Sequence, residues 1–302
     1  MTASEWFEPL PAEEKNSEFI AMESKTFLQE AWERFRKNKM AVLGLIILVI
    51  FAILAIFGPF FSSYEYDAQD ASNAYAPFSA AHLLGTDKFG RDVFVRLCYG
   101  ARISLLIGFG AALINSFTGV IVGGLCGYLG GKFDTIVMRI VDIIYAMPSM
   151  LYVILIMMVN GANVRSILLG VCIPGWIGMA RQVRGQVIGL KEQEFSLAAL
   201  VLGASDKRIL FKHLIINAIG PIIVQMTLLV PSAIFTEAFL SFIGIGISAP
   251  MASWGSMAQD ARQVITLHPV QMLLPTLCIC LTIFSLNFLG EGIGDAFNPK
   301  KK

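Results

Sequence analysis

Few residues in this 302-residue sequence have the type and spacing for chemistry. Gly292-Ile293-Gly294-Asp295 has the GxGD spacing used in intramembrane aspartyl hydrolysis, but that reaction needs a second aspartate facing the first. The only other candidate, Asp142, has Arg139 three residues away on the same helical face, where pairing is the simpler role. Gly131-Lys132 follows glycines, yet Cys126 stands where a phosphate-binding loop needs Gly and Phe133 where it needs Ser or Thr. No nucleotide site is expected on this chain. His82, His213 and His268 lie far apart, and four of the cysteines Cys98, Cys126, Cys172, Cys278 and Cys280 fall in apolar runs, so no metal site is expected and packing is their role. That leaves Glu237, a lone carboxylate inside an apolar stretch, where an ionisable group costs roughly 3 kcal/mol or more. Either it lines a pathway or gate, or it is structural, paired with an arginine or set in a watered bend before Gly244 and Gly246. Pro231 loosens the helix just ahead of it.

The elements that position these residues are membrane helices. The sequence is 56% hydrophobic and 15% charged, with a mean hydropathy of +0.68, against about 25% charged in soluble domains. A span needs about 20 apolar residues with its backbone bonded internally. Long uncharged stretches cover 41–63, 103–131, 143–163, 166–180, 214 to beyond 237, and 269–290. The expectation is an all-α, polytopic protein of about six transmembrane helices. The fourth stretch is short and carries Pro174 and Gly175, with Arg181 and Arg184 snorkelling beyond it. The first 40 residues are polar and the first apolar run is too long for a cleavable leader.

Lys and Arg placement sets the orientation. With the N-terminus inside, only Lys88, Arg91, Arg96, Arg102, Arg165 and Arg262 of the 23 basic residues fall outside. Both termini are therefore expected to be cytoplasmic. The domain reading is a tail with an amphipathic helix over 1–40, a transmembrane domain over 41–297 and a short tail over 298–302. The transmembrane domain includes an outer loop, 64–102, and a cytosolic loop, 182–213. Phe27, Ala31, Trp32 and Phe35 share a helical face beside Arg34, Arg36, Lys37 and Lys39. That pattern fits either an interfacial helix or a plain continuation of the first span. Gly119, Gly123, Gly127 and Gly131 form a ladder that lets a neighbouring helix approach closely. No basic helix with interleaved aromatics exists for nucleic acid.

Two loops carry pattern. In 182–213, Glu194 to Gly203 reads as a helix ending at glycine, and Ser205 or Asp206 caps a second helix with Ile209, Leu210, Phe211 and Leu214. The pair either docks into a groove on a cytosolic partner or rests on lipid. In 64–102, Asp67, Asp70, Asp87 and Asp92 stand against Lys88, Arg91, Arg96 and Arg102. A local ion-pair network shaping the outer mouth is expected there.

Residues 194–217 resemble the EAA loop of binding-protein-dependent ABC importer permeases. Ala198, Ala199 and Gly203 match its spacing, while Leu197 replaces its Glu and Ile216 its Pro. Gly85-Thr86-Asp87, Gly90-Arg91-Asp92, Arg96 and Gly100-Ala101-Arg102-Ile103-Ser104-Leu105 resemble the stretch before the second span in dipeptide and oligopeptide permeases. Tyr128 to Lys132 and Gly294 to Lys300 are similar to family stretches as well. The resemblance, to the C-type permease subunit, implies a type I importer fold in the prokaryotic inner membrane and a non-catalytic subunit. It implies a second homologous permease, two cytosolic ATPases that hold ATP and Mg, an extracytoplasmic substrate-binding protein, and a peptide substrate. A nickel or other small-solute permease of the same family is the alternative, and an ion-coupled carrier is a weaker one. On that reading Glu194, Ala198, Ala199, Gly203, Ser205, Asp206, Arg208 and Lys212 couple the chain to the ATPase.

Overall fold

The computed structural model describes residues 26–297. Residues 1–25 of the tail expected over 1–40, and the short tail over 298–302, lie outside the described residues. Hydrocarbon offers backbone groups no partner, so the apolar stretches form helices. Among the described residues there is no β-strand, only one antiparallel bridge between Thr86 and Asp92.

α1 (Phe27–Lys37) is amphipathic and buries Ala31 and Phe35 against Ala41 and Ala296. The Asn38 side chain accepts from Ala41 N at 3.1 Å and starts α2 (Lys39–Phe57), which runs on as a 3-10 turn, Gly58–Phe61. α3 (Val93–Leu129) has 37 residues. At 1.5 Å per residue it is roughly 55 Å long, beyond the ~30 Å hydrocarbon core. Its cap is Asp92, whose carboxylate accepts from Val95 N at 2.9 Å. The helix therefore starts ten residues before the expected span, and Arg96 and Arg102 belong to its first turns.

α4 (Gly131–Ala146) and α5 (Ser149–Asn160) follow, bent by 78° at Met147-Pro148. A third span beginning near residue 143 was expected; the structure has a helix pair that starts at Gly131 and is bent in its middle. The two aspartates of 132–142, a stretch that read as loop, are paired with arginines on a later helix instead. α6 (Val164–Gly175) and α7 (Ile177–Lys191) form one span of 28 residues. Asp134 accepts two hydrogen bonds of 2.5 Å from Arg184, and Asp142 accepts from Arg181 at 2.8 Å. The partner of Asp142 is thus Arg181 and not Arg139. The fourth span also reaches eleven residues past its expected end, because these carboxylates neutralise the arginines that had marked the boundary.

Next come α8 (Glu194–Val201), α9 (Asp206–Arg208), a π-helical stretch (Ile209–Leu214) and α10 (Ile215–Asn217). α11 (Ile219–Phe242), α12 (Trp254–Ala261) and α13 (Pro269–Phe297) complete the bundle. Among the described residues five helical segments are long and apolar enough to span, and there are six if the bent α4–α5 pair is one span.

The glycine ladder seats α7 on α3. A Cβ at Gly119 would lie 2.6 Å from Met179 Cβ, and one at Gly127 would lie 2.8 Å from the Arg184 carbonyl oxygen. At Gly123 it would collide with the backbone of Ala180. Gly131 is not on the ladder: it follows the end of α3 at φ 56° and starts α4. Across the bundle, Gly44 gives α2 close access to Ser285 on α13.

Candidate functional site

The length of α3 separates two polar ends. At one end, α8 stops where Gly203 takes φ 79°, so that Gly203 N donates to Leu200 O and Ala204 N to Ala199 O, both at 3.0 Å. A Cβ at Gly203 would meet nothing within 4 Å, so the glycine serves backbone conformation and not packing. Ile209, Leu210 and Leu214 bury this segment against Met179, Val183 and Val187 of α7. Tyr128 Oη, at the end of α3, donates to Asp206 at 2.6 Å, and Lys191 donates to Tyr128 O at 2.6 Å. The helix pair is thereby fixed to both α3 and α7. Glu194, Ala198, Gly203, Ser205, Asp206, Arg208 and Lys212 are exposed, and Ala199 is half-buried against the bundle. Leu197, Leu200, Val201 and Leu202 project outward as an apolar patch, the last two 86% exposed.

At the opposite end, residues 85–92 form a tight turn. Gly85 and Gly90 have φ of 72° and 71°, and a Cβ at Gly90 would collide with the backbone of Asp70. Thr86 Oγ1 donates to Asn73 O and accepts from Ala76 N at 2.7 Å, while Gln271 of α13 donates to Thr86 O at 2.6 Å. Asp87 accepts from Phe89 N, Arg91 N and Arg91 Nε at 2.8, 3.1 and 2.7 Å. Arg96 lies 3.5 Å from the same carboxylate. Asp260 of α12 closes the cluster, 2.9 Å from Lys88, 3.3 Å from Arg91 and 3.8 Å from Arg96.

The other charges of the 64–102 loop stand apart from this cluster. Asp92 caps α3 and bonds His82 Nδ1 at 2.9 Å. Arg102 donates to Ala55 O and Ile56 O, closing the end of α2. Asp70 caps a 3-10 turn, and hydrogen bonds from the Ser72 and Asn73 side chains hold its pKa below the usual carboxylate range.

Glu237 lies between these ends, fully buried. Ser104 of α3 donates to it at 3.0 Å and Ser241 at 2.8 Å, with Ser253 Oγ 3.5 Å beyond Ser241. Hydroxyls surround it, where an arginine or a watered bend had been expected. It joins α3, α11 and the start of α12 inside one subunit and faces no open passage in this conformation.

Residues 119–302 match the family model of the binding-protein-dependent transport system inner membrane component, and residues 26–77 match the N-terminal TM domain of oligopeptide transport permease C. The chain belongs to this permease family. The permease is 49% identical over 294 residues to the oligopeptide transport system permease protein OppC of Bacillus subtilis (strain 168), covering 97% of this chain and 96% of that protein. It is 46% identical to the dipeptide transport system permease protein DppC of the same organism, over 98% and 93% of the two chains. Identity to OppC of Escherichia coli (strain K12) is 40%, over 96% of each. The relatives are transport permeases, so this chain is a membrane-embedded transport subunit and not a catalyst.

In the permease, Asp87, Lys88, Arg91 and Arg96 join one network with Asp260, a narrower set than the eight charges expected to form it, whereas Asp92 and Arg102 each cap a helix. Sequence reasoning missed Asp260. Its signal was a single acid in the segment between the last two spans, opposite the cation-rich 64–102 loop. The serines around Glu237 were also missed, because each looks like an ordinary small membrane-helix residue.

Proposed function

We propose that this permease is one of two homologous transmembrane subunits of an ATP-driven importer of oligopeptides or dipeptides in a prokaryotic cytoplasmic membrane. Both termini face the cytoplasm. Two separate ATPases hold ATP and Mg, and an extracytoplasmic binding protein delivers peptide to the end that carries Asp260. The α8–Gly203–α9 pair is the coupling element. The observation that carries this reading is an ordered helix pair, bonded to α3 and α7, that still exposes Leu197, Leu200, Val201 and Leu202. Such a patch fits insertion into a cleft on a soluble partner, and its rigid attachment suits transfer of motion to the spans. Peptide as the substrate is supported by the relatives, which are named for oligopeptide and dipeptide transport.

Gly203→Val tests the coupling role. It places a branched side chain in open space at positive φ, which costs roughly 1–2 kcal/mol locally without touching the bundle. Membrane insertion should be retained, while co-purification of the ATPases and peptide-stimulated ATP hydrolysis should fall. Wild-type hydrolysis and assembly in that variant would refute the assignment.

A further inference from the structure

Among the described residues a core of four buried side chains holds α1 to α2 and α13, and three of the four are alanines. Side chains this small leave space beside them. A groove of about 360 Å³ runs between Trp32 and Phe35 of α1, Leu45 of α2, and Leu289, Ile293 and Phe297 of α13. Every residue in its wall is apolar or aromatic.

Size and polarity decide what can fill this groove. Protein interiors leave few voids larger than one water molecule, so a space of this volume is no packing defect. Water stays in a cavity only where it finds several polar partners, and this wall is apolar. Hydrocarbon has no such need. Leu45 lies in the first turns of the α2 span and Ile293 in the last turns of the α13 span. The groove therefore sits at one edge of the hydrocarbon layer, within reach of an acyl chain.

The rim of the groove is cationic. Arg36 lies over the Trp32 ring, 4.7 Å from its centroid, which holds a guanidinium at the mouth. Lys37 and Lys39 follow at the joint between α1 and α2, and all three cations are exposed. Among the described residues none of the three pairs with a carboxylate, unlike Arg34, which binds Glu30 at 3.5 Å. Basic residues at a membrane boundary attract anionic headgroups, and a guanidinium matches phosphate in shape as well as charge. An apolar slot beneath such a rim complements a molecule with a hydrocarbon tail and a negative head.

We propose that the groove between α1, α2 and α13 binds one anionic phospholipid. Its acyl chain lies against Trp32 and Ile293, and its phosphate meets Arg36, with Lys37 and Lys39 adding charge. The lipid completes the small core around Ala31 and Ala296 and fastens α1 to the first and last spans. The inference rests on membrane embedding alone and is separate from the importer reading above.

The test uses the full chain, delipidated in detergent and titrated with phosphatidylglycerol or phosphatidylcholine carrying brominated acyl chains. Bromine quenches a nearby indole, and the difference between wild type and Trp32→Phe isolates the signal of Trp32. Bound lipid is counted in parallel by native mass spectrometry. One basic residue near the headgroup strengthens anionic binding roughly fivefold. The proposal predicts one tightly held phosphatidylglycerol that quenches Trp32 and is preferred over phosphatidylcholine by roughly fivefold or more. Replacing the three exposed cations together, by Arg36→Gln, Lys37→Gln and Lys39→Gln, leaves the packing intact and should abolish the preference. Ile293→Phe narrows the groove and should weaken binding of both lipids. Absence of quenching by either lipid, as when residues 1–25 occupy the groove, would overturn the proposal. So would equal binding of the two lipids, or a preference that survives the triple substitution. Unchanged phosphatidylglycerol binding in Ile293→Phe would show attraction to the basic surface alone and would overturn the groove assignment.

Discussion

Replacing Asp260 by Asn removes one charge from the cluster around Arg91 while keeping shape. Its partners are unequal. Lys88 and Asp260 are each 31% exposed at the side chain, and an exposed pair of this kind contributes about 0–1 kcal/mol. Arg91 and Arg96 are 4% and 3% exposed, and stranding a buried charge costs about 3–5 kcal/mol. Asp87 stays in place and still binds Arg91 through Nε at 2.7 Å. Arg96 loses more, since its remaining carboxylate contact is 3.5 Å long. A loss between the two limits follows, about 2 kcal/mol. For a chain of this size that is a fall of roughly 3 °C in unfolding temperature. The assay is thermal unfolding of the purified subunit in detergent, at low salt and then high salt. A double-mutant cycle assigns the loss. Asp260→Asn with Arg96→Met should show coupling on the order of 1 kcal/mol or more, and Asp260→Asn with Lys88→Met should be nearly additive. An Asp260→Asn subunit that melts with wild type would show that α12 does not anchor the 85–92 turn and would refute the reasoning.

The remaining predictions concern the bundle. Gly123→Leu drives a side chain into the Ala180 backbone on α7; overpacking of this kind costs about 1–3 kcal/mol or more, and limited proteolysis should find the α6–α7 span loosened. Ser104→Ala leaves Glu237 Oε2 without its donor from α3, a loss of about 1–3 kcal/mol for a buried acceptor. Glu237→Gln keeps that partnership and should unfold at a higher temperature than Ser104→Ala in the same scan.

The spans were legible because lipid leaves the backbone one solution and asks for a recognisable run of apolar residues. Where reading failed, charge was the cause. Asp134, Asp142, Arg181 and Arg184 looked like loop residues, and the structure turns them into pairs between α4 and α7. A charged pair at a helix end costs less than either charge alone, and pairing partners 39 and 50 residues apart leave no local pattern. The same holds for Asp260, which lies more than 160 residues from the cations it serves. By contrast, the break at Gly203 was readable, since a helix end at positive φ has a residue-level signature.

The central claim is that this permease moves peptide with energy from ATP bound elsewhere. It is tested by uptake of a labelled oligopeptide into proteoliposomes that contain this chain, its second permease and the ATPases, with the binding protein outside and ATP sealed inside. Uptake that requires internal ATP, and that is absent when either ATPases or this chain are left out, is the predicted result. Uptake by this chain without the ATPases, driven by an ion gradient, would contradict it.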